Sequence, residues 1–199
     1  MAEWFARFYD MVMDPLERRG MRGIREELVS KATGAVLEIG SGTGLNFPHY
    51  KHAEEVIAIE PNPRMRSKSM NRRRESRVPI QVIDGGAENL PFADNTFDTA
   101  VATLVFCTIP DPERAFQEIR RVCKPDAKIL LFEHVRLDHP VIGKIQDWVT
   151  PLWKRVCDGC ELNRKTVELL QREGFKVIRT QTHYRGLFVT LEAGNSKTC

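Results

Sequence analysis

No run of 18 apolar residues occurs anywhere in the 199-residue sequence, so no segment reads as a membrane span. The opening stretch MAEWFARFYDMVMD carries acids and has no compact apolar core before a small-residue cleavage site, so it is not expected to be a secretion signal. There is no internal repeat, no low-complexity tract and no linker-like stretch, which leaves one globular domain over residues 1–199. A domain of that length buries a full core without disulfide or metal staples. The five cysteines, Cys107, Cys123, Cys157, Cys160 and Cys199, are too few and odd in number for a disulfide framework and read as reduced thiols of a cytoplasmic protein. One-signed charge is nearly absent in total but concentrated locally. Residues 64–77 hold seven basic side chains and one acid, while the whole chain is only +3. No aromatics are interleaved with these arginines, so no nucleic-acid partner is expected. A solvated helix face is the plain reading, and an anionic membrane surface, giving peripheral membrane contact, is the alternative.

What the sequence does have is alternation of short apolar runs with helical stretches. Residues 35–39, 56–59, 80–83, 99–105 and 128–132 are continuous apolar runs bounded by Gly, Pro, Asp or Asn, as expected of parallel strands buried on both faces. Residues 112–122 place Ala115, Ile119 and Val122 at helical spacing behind Pro112. Asn163 is positioned to cap a helix with Val167, Leu169 and Leu170 on its apolar face and Gly174 as its stop. Residues 176–180 and 187–191, turning at Arg185-Gly186, form a terminal hairpin. The expectation is an open, doubly wound α/β sheet, mostly parallel, with one antiparallel strand near the C-terminus.

The strand-to-helix stretch Val36-Leu37-Glu38-Ile39-Gly40-Ser41-Gly42-Thr43-Gly44 is the chemical signal. Glycines at such a turn let the backbone approach a ligand, although a tight turn with no ligand has the same look. Glu60 follows Gly40 by 20 residues and closes the second strand, where an acid meets the ribose hydroxyls of an adenosine cofactor. A dinucleotide would set its pyrophosphate at the helix N-terminus, but Glu38 stands there and would repel phosphate while attracting an ammonium. The spacing is also GxGxG, not the dinucleotide GxGxxG. The pattern suits S-adenosylmethionine, which brings an ammonium, a carboxylate and a sulfonium, and no phosphate.

Residues 38–44, Glu60, Asp84-Gly85-Gly86-Ala87-Glu88 with Leu90-Pro91-Phe92, and Phe97-Asp98 together resemble class I methyltransferases of the ubiquinone/menaquinone-biosynthesis type. The resemblance runs through residue 122 and resumes in the fifth strand and the Asn163 helix. It departs at Pro125-Asp126-Ala127, where that family has a Pro-Gly-Gly turn. It implies the Rossmann-like methyltransferase fold and S-adenosylmethionine-dependent methyl transfer by in-line displacement. It also implies roles. Gly40, Ser41, Gly42 and Gly44 would line the methionine end, with Glu38 reaching its ammonium directly or through water. Glu60 would hold the ribose, Pro61, Asn62 and Met65 would flank the adenine, and Gly86, Ala87 and Glu88 would read its edge. Thr103 and Leu104 would sit beside the transferring methyl.

The acceptor site is expected from residues 1–30 and 134–161, which fall outside the sheet. Glu133-His134-Val135, Pro151-Leu152-Trp153-Lys154, Asp158-Gly159-Cys160 and Gly44-Leu45-Asn46-Phe47 resemble a narrower group, thiol S-methyltransferases of the membrane-associated methyltransferase-like type and bacterial phospholipid N-methyltransferase-like proteins. The acceptor is then a small, lipophilic molecule methylated at a thiol, an amine or a quinol-type carbon. His134 and Asp158 are the candidate bases, with a structural histidine and a turn residue as their plain readings. Cys157 and Cys160 have the spacing of half a zinc site that His134, His139 or His183 could complete. No second CxxC exists, so packed cysteines and no metal are expected. Trp4, Phe5, Phe8, Val12 and Leu16 define one helical face, read as a lid that brings Tyr9 to the cofactor or as an interfacial helix. No obligate protein partner is evident. The rival to an enzyme is a non-catalytic cofactor- or lipid-binding protein at a membrane surface.

Overall fold

The computed structural model describes residues 3–157 and 159–197, with residues 3–7 as backbone alone. Asp158, Cys199 and the side chains of Trp4 and Phe5 lie outside the described residues. Seven strands form one sheet: β1 (Thr33–Ile39), β2 (His52–Ile59), β3 (Ile80–Ile83), β4 (Phe97–Thr103), β5 (Cys123–His134), β6 (Lys176–His183) and β7 (Phe188–Gly194), in the spatial order β3-β2-β1-β4-β5-β7-β6. The first five pair in parallel, and β7 runs antiparallel to both β5 and β6. One antiparallel strand near the C-terminus was the sequence expectation, and it holds.

Period-two alternation in the strands feeds two cores. Leu37, Ile39, Ala100, Ala102, Ile129 and Leu131 pack on one face with α4 (Pro112–Val122), and Val36, Val101, Leu130 and Phe132 pack on the other with Met21, Leu28 and Val29. The chain leaves β1 toward β2 and β3, then crosses back to β4 and beyond. The reversal opens a crevice beyond the carboxyl ends of β1 and β4, the expected place for a ligand.

Several expected boundaries move for identifiable reasons. β4 stops at Thr103 because Leu104 turns into the left-handed region at φ 54°. β5 begins at Cys123, ahead of the expected Lys128, and its pairing with β4 jumps from Phe97–Cys123 to Thr99–Lys128. Asp126 sits in that irregularity at φ 62°, so aspartate fills a left-handed position that glycine would adopt without strain. Asn163 does not cap α6 (Thr166–Arg172). Its amide donates to Asp147 instead, and Lys165 takes the cap position without a side-chain bond. Gly174, at φ 85°, does end the helix region.

The N-terminal helix α1 (Glu3–Leu16) turns two residues of its expected apolar face outward, which departs from the packed-lid reading and not from the interfacial one. Val12 is 59% exposed and Leu16 is exposed, whereas Met13 is buried. A π-turn at Glu17–Met21, with Gly20 at φ 126°, connects α1 to α2 (Arg22–Val29) and rotates Glu17 and Met21 inward. α5 (Pro140–Val156) occupies most of the 134–161 insertion.

Candidate active site

The glycine loop is held in shape from below. Ser41 N donates to Ile59 O, and Gly42 N donates to the Glu60 carboxylate at 2.9 Å. The other Glu60 oxygen accepts from Asn62 N at 2.9 Å. The Asn62 side chain accepts from Arg64 N and Met65 N, so it caps α3 (Pro63–Glu75). Gly40, at φ 61°, admits no side chain, because a Cβ there would stand 2.2 Å from Val105 Cγ2. Gly42, at φ 55°, is different: nothing lies within 4 Å of an added Cβ, so the loop backbone is open toward the crevice. Along the same edge, Met65 and Ala87 are buried, Gly86 and Glu88 are partly buried, and Pro61 is exposed. The basic run of α3 is not only a solvated face. Arg66 donates to Glu60 O and Asp84, and Arg72 donates to Thr43 O.

Behind the loop lies a buried polar network that sequence reasoning missed. Glu38 is 1% exposed and accepts from Asn46 Nδ2 at 2.9 Å and Tyr50 Oη at 2.7 Å. Arg25, 2% exposed, donates to Asn46 Oδ1, Thr103 Oγ1 and Glu17 Oε1 at 2.7–2.8 Å. Burial drives the Glu38 carboxyl up to about 7, against the opposing pull of its Tyr50 and Asn46 hydrogen bonds and the Arg25 charge. The network ties α2 to the ends of β1 and β4, and so fixes Thr103 at the switch point.

α1 lies across the loop. Thr43 Oγ1 donates to Asp10 at 2.7 Å, and Asp10 also pairs with Arg72. Tyr9, the neighbour of Asp10, is half-buried, and burial of its hydroxyl pushes it up to about 12.

The end of the sheet at β4 and β5 is assembled by two locks. Glu133, wholly buried, accepts from Val105 N and Phe106 N at 3.0 Å each, which fixes the loop after β4. Burial raises its carboxyl to about 7 despite those backbone bonds. Arg164 donates to Phe106 O and Ile109 O, and Glu161 N donates to Cys107 O, which fastens residues 159–164 onto that same loop. Together the locks bring Cys107, His134 and Cys160 together, with His134 Nε2 and Cys160 Sγ 3.2 Å apart. The Cys160 thiol is lowered to about 5 by its hydrogen bond with Cys107 and by the hydrogen bond and charge of His134, which together outweigh burial. Cys107 is driven well above its usual range by that same hydrogen bond and by burial. Burial lowers His134, but its bond to Cys160 and the charges of Cys160 and Glu133 leave it raised overall. The thiol beside His134 and Cys160 is therefore Cys107, 53 residues upstream of Cys160, and not the CxxC partner Cys157. Neither His139 nor His183 joins them: His139 caps α5 and His183 meets Thr190.

Comparison with known proteins completes the picture. A methyltransferase-domain family matches residues 37–131. Human thiol S-methyltransferase TMT1B is 32% identical over 182 residues, covering 85% of this chain and 75% of the relative. The chain belongs to the class I S-adenosylmethionine-dependent methyltransferases. Phosphatidylethanolamine N-methyltransferase of Cereibacter sphaeroides is 32% identical over 120 residues, covering 59% of each chain. The crystal structure of a SAM-dependent methyltransferase from Thermotoga maritima superposes with a TM-score of 0.71 over 96% of this chain and 98% of that one, at 24% identity, and shares the fold.

S-Adenosylmethionine is thus the methyl donor of this methyltransferase, and the residues present fit it. Ser41 Oγ is buried without a hydrogen-bond partner, a donor suited to a carboxylate. Gly42 opens the loop backbone toward the crevice, and the Glu60 carboxylate is oriented by two backbone N–H groups. Among the described residues, no helix is long and apolar enough to cross a membrane.

Proposed function

We propose that this methyltransferase methylates the sulfur of a small, lipophilic thiol. The observation that carries the reading is the Cys107–His134–Cys160 group, which gathers two sulfurs and an imidazole beside the loop that follows Leu104. S-Adenosylmethionine supplies the methyl from its sulfonium. Ser41 and the Gly40–Gly44 backbone hold its amino-acid end, and Glu38 attracts the ammonium from behind Asn46. Glu60 takes the ribose hydroxyls. Met65 packs on the adenine with Pro61 and Asn62 at its border, and Gly86, Ala87 and Glu88 meet the adenine edge. Thr103 and Leu104 border the methyl, and α1 and α2 form a lid that keeps Tyr9 over the site and water out. A thiol is only a few per cent thiolate at neutral pH, so activation is the demanding step, and the group containing His134 is where it occurs. Asp158, adjoining Gly159 and Cys160, is the second candidate for that role.

The test is formation of S-adenosylhomocysteine with a panel of thiols, amines and quinols. Thiols should give the highest kcat/KM. Faster turnover of an amine or a quinol would remove the thiol assignment. Cofactor binding by calorimetry with no turnover of any panel member would favour a non-catalytic binder.

A second reading concerns where the acceptor comes from. α5 is amphipathic with its polar side inward: Gln146 donates to Val135 O and Leu162 O and accepts from Leu137 N, while Val141, Ile145, Trp148 and Leu152 point outward at 59, 53, 84 and 65% exposure. Lys144, Lys154 and Arg155 lie on the same helix. We infer that α5 rests in an anionic lipid surface, with its apolar side at the headgroup–acyl boundary. Sedimentation with phosphatidylglycerol-containing vesicles should carry the protein down, and Trp148→Glu should release it with an unchanged melting temperature. A protein that ignores vesicles, or one that dimerises through α5, would refute this.

A further inference from the structure

The three side chains of the acceptor-end group come from three different elements. Cys107 lies in the loop after β4, His134 ends β5, and Cys160 lies in the segment after α5. Their ligand atoms, two Sγ and one ring nitrogen, all lie within 4.8 Å of one another. A zinc ion bound to cysteine sulfur at about 2.3 Å and histidine nitrogen at about 2.0 Å sets tetrahedral ligands roughly 3.5–3.8 Å apart. The observed group therefore needs sub-ångström to ångström adjustments to close around such an ion. His134 Nδ1 is buried without a hydrogen-bond partner, so the ring gains no fixed orientation from that side; Cys160 alone meets its Nε2. Cys107 Sγ finds only a weak contact with Leu104 O at 3.8 Å besides its two neighbours. The backbone around all three is, by contrast, firmly tied by Glu133, Arg164 and the Glu161 amide. The geometry that favours a cation is the backbone: three soft donors from three elements are held together by it, while the His134 Nδ1 lacks the outer-shell acceptor that a ligating histidine ordinarily has.

We propose that Cys107, His134 and Cys160 bind one soft divalent cation of the zinc class, leaving a fourth position for the sulfur of the acceptor. Two sulfurs and an imidazole select zinc-like ions over magnesium or calcium, and three protein ligands with one vacancy are the composition of a catalytic site, not a structural one. The inference rests on the thiol reading above and deepens it by giving the means of activation. The acceptor thiol enters the fourth position and loses its proton to solvent, because the cation stabilises the thiolate at neutral pH. A sulfur lone pair then forms the new S–CH3 bond while the methyl–sulfonium bond breaks, its electron pair remaining on the sulfur of S-adenosylhomocysteine. The methylated product is a neutral thioether, a poorer ligand than the thiolate, and leaves for the next thiol. Selectivity follows from the same ligation: soft sulfur nucleophiles occupy the position, and protonated amines do not.

The experiment uses the full chain, prepared without metal-affinity resin. It is titrated with Zn2+ against a competing chelator, and the Co2+ form is examined by absorption spectroscopy. One equivalent should bind, the Co2+ form should show thiolate-to-metal charge transfer, and a thiol acceptor should perturb that band. Cys160→Ser and Cys107→Ser should weaken binding at least about 100-fold, whereas Cys157→Ser, outside the group, should not. Circular dichroism of the apo form and of each variant checks folding. Chelated enzyme should lose thiol methylation and regain it with Zn2+, with cofactor affinity unchanged. Stoichiometric metal without turnover of any thiol would remove the acceptor reading and leave the cation site standing. Full thiol turnover by metal-free enzyme, or binding equal in the wild type and Cys160→Ser, would overturn the cation site and leave the thiol reading intact.

Discussion

Replacing Glu60 by alanine tests the cofactor site most directly. Each Glu60 oxygen already accepts one backbone N–H at 2.9 Å, from Gly42 and from Asn62. These two backbone donors fix the orientation in which the carboxylate would meet two vicinal hydroxyls. Hydrogen bonds to a charged group contribute about 1.5–3 kcal/mol each, or about 3–6 kcal/mol for two. At about 1.4 kcal/mol per tenfold, Glu60→Ala should weaken cofactor binding roughly 10²–10⁴-fold. The same change also unties Gly42 from Asn62, so part of the loss would come from a loosened loop. Glu60→Gln separates the two contributions. It keeps the size and one acceptor but turns a donor toward a backbone N–H, and should fall between the wild type and the alanine variant. Calorimetric titration with S-adenosylhomocysteine, beside thermal unfolding of the same samples, reads both. Affinity within about threefold of wild type in Glu60→Ala, at any melting temperature, would refute the ribose assignment.

Other consequences are equally concrete. Arg25→Met strands the buried carboxylate of Glu17 along with Asn46 Oδ1 and should destabilise the fold by about 3–5 kcal/mol in denaturant unfolding; a loss below about 1 kcal/mol would show that the network is dispensable. Glu38 is held up to about 7 by burial, so in the absence of ligand the folded chain keeps a proton that the unfolded chain gives up at lower pH. Its contribution to stability is therefore complete below the unfolded value and fades as pH rises toward about 7. An ammonium arriving nearby lowers that value, so cofactor binding at pH 7 should release a fraction of a proton, read by calorimetry in buffers of different ionisation enthalpy. The release should vanish in Glu38→Gln, and its persistence there would assign it elsewhere. Asp126→Gly relieves a side chain at φ 62° and should raise stability by about 0.5–1 kcal/mol in thermal unfolding, whereas a loss would mean that the side chain has a role of its own.

Strands of this molecule were legible because parallel strands buried on both faces write themselves as unbroken apolar runs. The glycine loop was legible because backbone conformation and glycine are tightly linked. Asn163 misled because a good cap residue can be taken by a tertiary partner, here Asp147. Of the expected α1 face, Val12 and Leu16 lie exposed, as an interfacial helix would leave them and a packed lid would not, while the π-turn that follows turns Glu17 inward against Arg25. Arg25 itself left a faint trace: it lies four residues after Met21 and three before Leu28, on an otherwise apolar stripe. A basic residue there calls for a buried acid, but only the fold says which one. Glu38 and Glu133 are the same kind of trace in strands. Of the Cys107–His134–Cys160 group, Cys160 and His134 were in view through the CxxC spacing, but Cys107 left no trace, because it is distant in sequence and meets them through backbone locks that no local pattern encodes.

The placement of β7 has a consequence for how the chain reaches this state. β6 is made before β7, yet its sheet neighbour is β7 alone, and β7 must slide in antiparallel beside β5. Until residues 188–194 are in place, β5 is an open edge and β6 has nothing to pair with. The parallel strands pair without β7, whereas the flank of the sheet that carries His134 is complete only with it. Loss of those seven residues would thus cost two strands, not one, and would expose the flank of β5 to pairing with a second molecule.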